Sequence, residues 1–178
     1  MDKIIYEFDK INNPQGKGNA ENNHFIFQNI ERRKLTSIYH SHDFYEFIIV
    51  LRGMCTAFIN GKEYELVKDD AVFMSPGDSH SFTGQSEDLR IISFSVKSCE
   101  VESSCEYIGK RPDECFGFKE HPLIFSEPGA QSVLRLIYNN INDDTLIYEY
   151  KFLLSYFIRV LSVKSEPGND DECPAVIL

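Results

Sequence analysis

The stretch "HSHDFYEFIIVLRG", residues 40–53, decides how the chain is read. It has the aromatic and β-branched content of a strand bound for an interior, yet it carries two histidines and a glutamate. Side chains alternate faces along a strand, so His40, His42, Phe44, Glu46, Ile48 and Val50 point the same way if no bulge intervenes. The other face, with Tyr39, Tyr45, Phe47, Ile49 and Leu51, is nearly as apolar, which fits a strand covered on both sides. Two imidazoles and a carboxylate on one wall are ligands of the kind that Zn, Fe, Mn, Ni or Cu accept.

Outward from this stretch, residues 24–96 form a succession of short strand-like runs: HFIFQ, LTSIYHSH, YEFIIVLRG, MCTAFI, KEYEL, DAVFMS, HSFTG and LRIISFSV. Gly, Asn, Asp and Pro break them, and no helical period lies between. That spacing predicts a sandwich or barrel, with a type I′ hairpin at Asn60-Gly61, where both central residues need positive φ. His80 follows Pro76-Gly77, and just beyond such a turn it can lie on a neighbouring strand and face the same cavity as His40, His42 and Glu46.

Residues 97–125 lose the alternation and collect Gly, Pro and charge; they are expected to form a long surface connection with Phe116, Phe118 and Phe125 tucked inward. The period then turns helical. SEPGAQSVLRLIYNNIN keeps Val133, Leu134, Ile137 and Ile141 on one side. TLIYEYKFLLSYFIRVLSV carries one apolar stripe at Leu146, Tyr150, Leu153, Phe157 and Val160 and another at Ile147, Leu154, Ile158 and Leu161. An arc that wide suggests either a homodimer through the first stripe or a helix buried within the monomer. Residues 164–174 have linker composition, and the apolar PAVIL after them reads as the start of a further, missing domain.

Composition narrows the functional classes. A net charge of -10 argues against a grip on nucleic acid by this chain alone, because that affinity rests on Lys and Arg meeting phosphates. The opening residues carry charges among the apolar positions, and no long uncharged apolar run occurs, so neither a secretory signal nor a membrane span is expected and the location expected is cytoplasmic. Five cysteines without a CxxC pair fit reduced thiols better than a disulfide framework. Cys99, Cys105 and Cys115 with His121 could be read as a zinc site, but their spacing matches no usual zinc pattern.

The spacing His40-x-His42-x3-Glu46-x6-Gly53 resembles the first motif of the cupin superfamily, and Asp70-x5-Pro76-x3-His80 resembles the second. In the second motif Asp70 stands where glycine is usual, and His80 falls one residue early. That shortened form, with the hairpin and the helices that follow, resembles the ligand-sensing N-terminal domain of AraC-type transcription regulators over roughly residues 24–178. The resemblance implies a mainly β cupin fold (a double-stranded β-helix or jelly-roll barrel) over residues 1–125 with its surface connection. A C-terminal antiparallel helical pair at 126–163 would dimerise, and 164–178 would lead toward an absent helix-turn-helix domain. It implies a small-molecule effector, often a sugar.

Three readings of His40, His42, Glu46 and His80 stay open: a divalent transition-metal site (Zn, Ni, Fe or Mn), a polar patch for an effector's hydroxyls, or residues that satisfy backbone groups near a barrel rim. Phe44, Met74, Phe82 and Phe94 are candidate apolar walls of the pocket, or plain core. The rival to a sensor domain is a free-standing metal-dependent cupin enzyme, a dioxygenase or sugar isomerase; no additional acid or base stands out by motif to support it.

Overall fold

The computed structural model describes residues 4–7, 25–31 and 37–116, the strand at 123–126, and parts of a helix between 151 and 159. Ten strands are described: β1 (Ile4–Tyr6), β2 (Phe25–Glu31), β3 (His40–His42), β4 (Tyr45–Arg52), β5 (Met54–Ile59), β6 (Lys62–Val67), β7 (Asp70–Met74), β8 (His80–Thr83), β9 (Arg90–Val96) and β10 (Leu123–Ser126). They form two five-stranded sheets, ordered β1-β3-β8-β5-β6 and β10-β7-β4-β9-β2. The architecture is the mainly β, two-sheet cupin jelly roll that the motifs implied.

The alternation along β4 divides the apolar residues into two cores. Ile48 and Val50 face between the sheets, with Cys55, Ala57, Ile59, Leu66, Val72, Met74, Phe82, Leu89 and Ile91. Phe47 and Ile49 face outward into a second cluster with Phe25, Phe73, Phe94, Val101, Cys105, Cys115, Leu154 and Ile158. Burying each such large side chain contributes on the order of 1.5–3 kcal/mol. The greasy second face of β4 is therefore the seat of helical residues and not a solvent face. Leu154 and Ile158, from one of the two helical stripes, pack there.

Local chemistry sets the turns. Asn60 and Gly61 have φ of 49° and 83°, as a type I′ hairpin between β5 and β6 requires. Gly53, at φ 76°, joins β4 to β5 where a Cβ would collide with Ser86 Oγ and sit 2.9 Å from Leu89 Cα. Only glycine fits on both counts.

Four expectations change. The strand through His40–Phe47 is not continuous: the chain bends at Asp43–Phe44, so β3 joins one sheet and β4 the other. His42 Nδ1 bonds the Phe44 carbonyl at 2.8 Å across that bend, a side chain standing in for a ladder bond. The described residues of the connection at 97–125 form α1 (Ser98–Tyr107), α2 (Pro112–Phe116) and β10, while the side chains of Phe116, Phe118 and Phe125 lie outside what is described. Val101 and Cys105, one helical turn apart, are the buried residues of α1, too sparse a stripe to show against its charges. The short strand β1, parallel to β3, was not expected either.

The zinc reading of the cysteines also fails among the described residues. Cys99 is exposed while Cys105 and Cys115 are buried, and burial, with Cys115 beside it, pushes the Cys105 thiol up to about 12. Among the described residues these thiols do not converge with other donors as a metal-binding group. No described helix is long and apolar enough to cross a membrane. The first helix of the expected pair, the linker, His121, and the proposed interface residues Leu146, Tyr150, Leu153, Phe157 and Val160 lie outside the described residues.

Gly53→Ala should destabilise the fold by about 1–3 kcal/mol in urea unfolding, since it combines a strained φ with a backbone clash. Gly61→Ala shares the positive φ but meets open space, so it should cost less. Equal losses would mean that the contact with Leu89 is relieved at no cost.

Candidate metal and effector site

The site forms at one end of the space between the sheets, where β3 and β8 meet the start of β4. His40 and His80 are register partners across β3 and β8. The loop before His80 is pinned on three sides. Gly77 N–H donates to the His42 carbonyl at 2.8 Å, and Asp78 Oδ2 accepts from Ser75 N–H at 2.7 Å. The Asn60 side chain accepts from Ser79 N–H at 2.9 Å and donates to Asp78 Oδ1 at 2.8 Å. The β5–β6 hairpin thus fixes where β8 begins, and so where His80 points.

His42, Glu46 and His80 converge, with one ligand atom from each lying within 4.8 Å of the others. Glu46 Oε2 is 3.1 Å from His42 Nε2 and 3.5 Å from His80 Nε2. Glu46 Oε1 accepts a 2.5 Å hydrogen bond from the Ser93 hydroxyl. All of this is enclosed: His42 and His80 side chains are 1% exposed and Glu46 is 12% exposed.

Burial alone would push the Glu46 carboxyl up. The hydrogen bond from His42, the positive character of His42 and His80, and the Ser93 hydroxyl override it and hold the carboxyl at about 2. For His80 burial wins: it lowers the imidazole to about 4 against the attraction of Glu46, so His80 is neutral near neutral pH.

Tautomers follow from the partners. His42 Nδ1 faces the Phe44 carbonyl and Nε2 faces a carboxylate oxygen, so two acceptors flank the ring. Either both nitrogens carry protons or a cation takes the place of the Nε2 proton. His80 Nδ1 is buried without a hydrogen-bond partner; the Asp78 backbone is near enough to bias its titration but completes no bond of good geometry. A neutral His80, an ionised Glu46 and a backbone-oriented His42 make the two-imidazole, one-carboxylate set suited to a divalent transition metal.

The remaining expected residues divide. His40 stands beside the trio, its ring 4.2 Å from that of His80, and its Nδ1 is bonded to the Ile38 carbonyl at 2.8 Å. It is not one of the three converging donors. Phe44 stacks on His42 at 4.0 Å, Phe82 lies edge-on to His80 at 5.6 Å, and Met74 pairs with Glu46 across β4 and β7. Phe94 points the other way, into the outer cluster with Phe25 and Phe47, and is no wall of this site.

Sequence reasoning missed Ser93 and Ser95, both buried. The signal lay in "ISFSV", where the serines alternate with Ile92, Phe94 and Val96 of the outer cluster and so must share the opposite face with Glu46.

Residues 29–140 match the family model of the AraC-like ligand binding domain. The chain belongs to that family. Among solved structures, an apo variant of ToxT from Vibrio cholerae aligns with a TM-score of 0.61 and 15% identity, over 81% of this chain and 58% of that one. Wild-type ToxT from Vibrio cholerae with unsaturated fatty acid bound aligns with a TM-score of 0.57 and 17% identity, over 81% of this chain and 56% of that one. At such identities the likeness shows the fold. This chain spans less than two thirds of the length of those structures. No curated protein matches it.

In metal-free protein the unfolded chain takes up protons at a higher pH than the folded one, between about 6.5 and 4 for His80 and between 4.5 and about 2 for Glu46. Stability should therefore fall as pH drops through these windows. Urea midpoints for wild type and His80→Gln between pH 6.5 and pH 4 provide the check. The variant should lose most of the slope, and an unchanged slope would place its origin elsewhere.

Proposed function

We propose that this chain is the effector-sensing and dimerising part of an AraC-type transcription regulator, and that its recognition centre is the His42–Glu46–His80 group with His40 and Ser93. The observation that carries this reading is a single carboxylate oxygen shared between two imidazole nitrogens at the edge of the apolar core between the sheets. Membership of the AraC-like ligand-binding family supports the sensing role.

His42, Glu46 and His80 would hold a divalent transition metal, one of Zn, Ni, Fe or Mn. Such an ion would act as a Lewis acid that anchors an oxygen of the effector. The chain's own residues orient that effector: Phe44 and Phe82 offer apolar faces, and the His40 ring flanks His80 on the β3 side. A hydroxyl-rich, sugar-like molecule suits such a site because its hydroxyl oxygens can ligate a hard or borderline divalent ion.

Signalling would use β4, whose even-numbered residues reach the site while Phe47 and Ile49 touch the cluster that seats Leu154 and Ile158. Because those two helical residues pack on the sheet, the stripe Leu146, Tyr150, Leu153, Phe157 and Val160 is proposed as the homodimer surface. Leu153→Asp should then shift sedimentation from dimer to monomer, and a monomeric wild type would refute the dimer.

The donor trio also supports the rival, a metal-dependent cupin enzyme, so the test must separate binding from turnover. Purified protein should carry near-stoichiometric transition metal by elemental analysis and lose it in His42→Ala. A panel of sugars should yield calorimetric binding without product. Metal-dependent conversion of any panel member would favour the enzyme, and metal-free wild type would leave the group as a direct hydroxyl-binding patch.

A further inference from the structure

We propose that Ser93 is a positioning residue: by occupying Glu46 Oε1 it leaves Oε2 as the single oxygen offered between His42 and His80. The inference rests on the metal reading above and assigns a role to a residue that lies outside both cupin motifs.

The Ser93 hydroxyl lies 2.5 Å from Oε1, while Oε2 lies 3.1 Å and 3.5 Å from the two imidazole nitrogens. An ionised carboxylate is acceptor-only, so the hydroxyl must donate to it. The contact is diagonal across the ladder, because Glu46 pairs with Ser95 and Ser93 pairs with Ile48.

Ser93 is itself 1% exposed, and its strand is locked from behind by Ile92 and Phe94 in the outer cluster. It cannot follow a wandering carboxylate, so the carboxylate is held to it. A glutamate has three side-chain torsions, and without this tether both oxygens are free to turn toward the imidazoles. Tethered, Glu46 would offer one oxygen, beside the imidazoles of His42 and His80, to an ion held there. Partners that fix a ligating carboxylate in this way are worth on the order of 10- to 100-fold in metal affinity.

The test compares wild type, Ser93→Ala and Ser93→Thr, the last of which keeps the hydroxyl. Co(II) serves as the probe because its visible spectrum reports ligand number and geometry. Ser93→Ala should bind Co(II) about 10- to 100-fold more weakly by chelator competition, with an altered visible band, while Ser93→Thr stays near wild type. Thermal unfolding of each variant checks that the fold is intact. Wild-type affinity and spectrum in Ser93→Ala would overturn the proposal.

If wild type takes up no Co(II), the metal reading fails, and crystal structures of the metal-free proteins decide the role of Ser93. A Glu46 carboxylate turned away from its wild-type pose in Ser93→Ala would uphold the positioning role. An unmoved carboxylate would overturn it.

Discussion

Because β4 is buried on both faces, its even-numbered residues build the interior between the sheets while its odd-numbered ones carry the helical layer. Everything functional hangs on that division. Glu46 is the first inward residue of the strand, placed where the interior opens onto β3 and β8, and two residues later the same face is dry core. A one-residue slip would exchange the two sets and send Glu46 into the helical cluster. The bulge that shifts the register between Val50 and Arg52 comes after this point, so it leaves the placement of Glu46 untouched.

An ionised carboxylate enclosed in a protein is costly unless charge and hydrogen bonds answer it. Here the answer comes from His42, His80 and Ser93, which together outweigh desolvation. Apolar residues of similar volume would fill the same space at no electrostatic cost, so the group is poorly explained as a stabilising device. A chemical role explains it better. The two acceptors that flank the His42 ring, the Phe44 carbonyl and the Glu46 carboxylate, describe a site that favours a cation between His42 Nε2 and the carboxylate.

Much of this was legible in the sequence. Parity placed His42, Glu46 and Ile48 on one wall, Asn60-Gly61 gave the hairpin, and Pro76-Gly77 put His80 on an adjoining strand. Parity did not reveal the bend at Asp43–Phe44, because a strand that changes sheets keeps its inward face and so leaves the alternation intact. Helix α1 stayed hidden because only Val101 and Cys105 mark its buried side. Of the two readings left open for Phe94, pocket wall or plain core, its place in the outer cluster fits core, as the serines beside it already indicated. His40 matched the motif, yet its backbone bond and its place in β3 leave it beside the donors and not among them.

A cation between two imidazoles and one carboxylate oxygen is the feature on which the site's chemistry depends. The most direct measurement is X-ray diffraction from crystals of the purified protein at the absorption edge of the metal it carries. The expected map shows one internal anomalous peak, within bonding distance of His42 Nε2, Glu46 Oε2 and His80 Nε2. A map with no peak there, or with peaks only at the molecular surface, would contradict it.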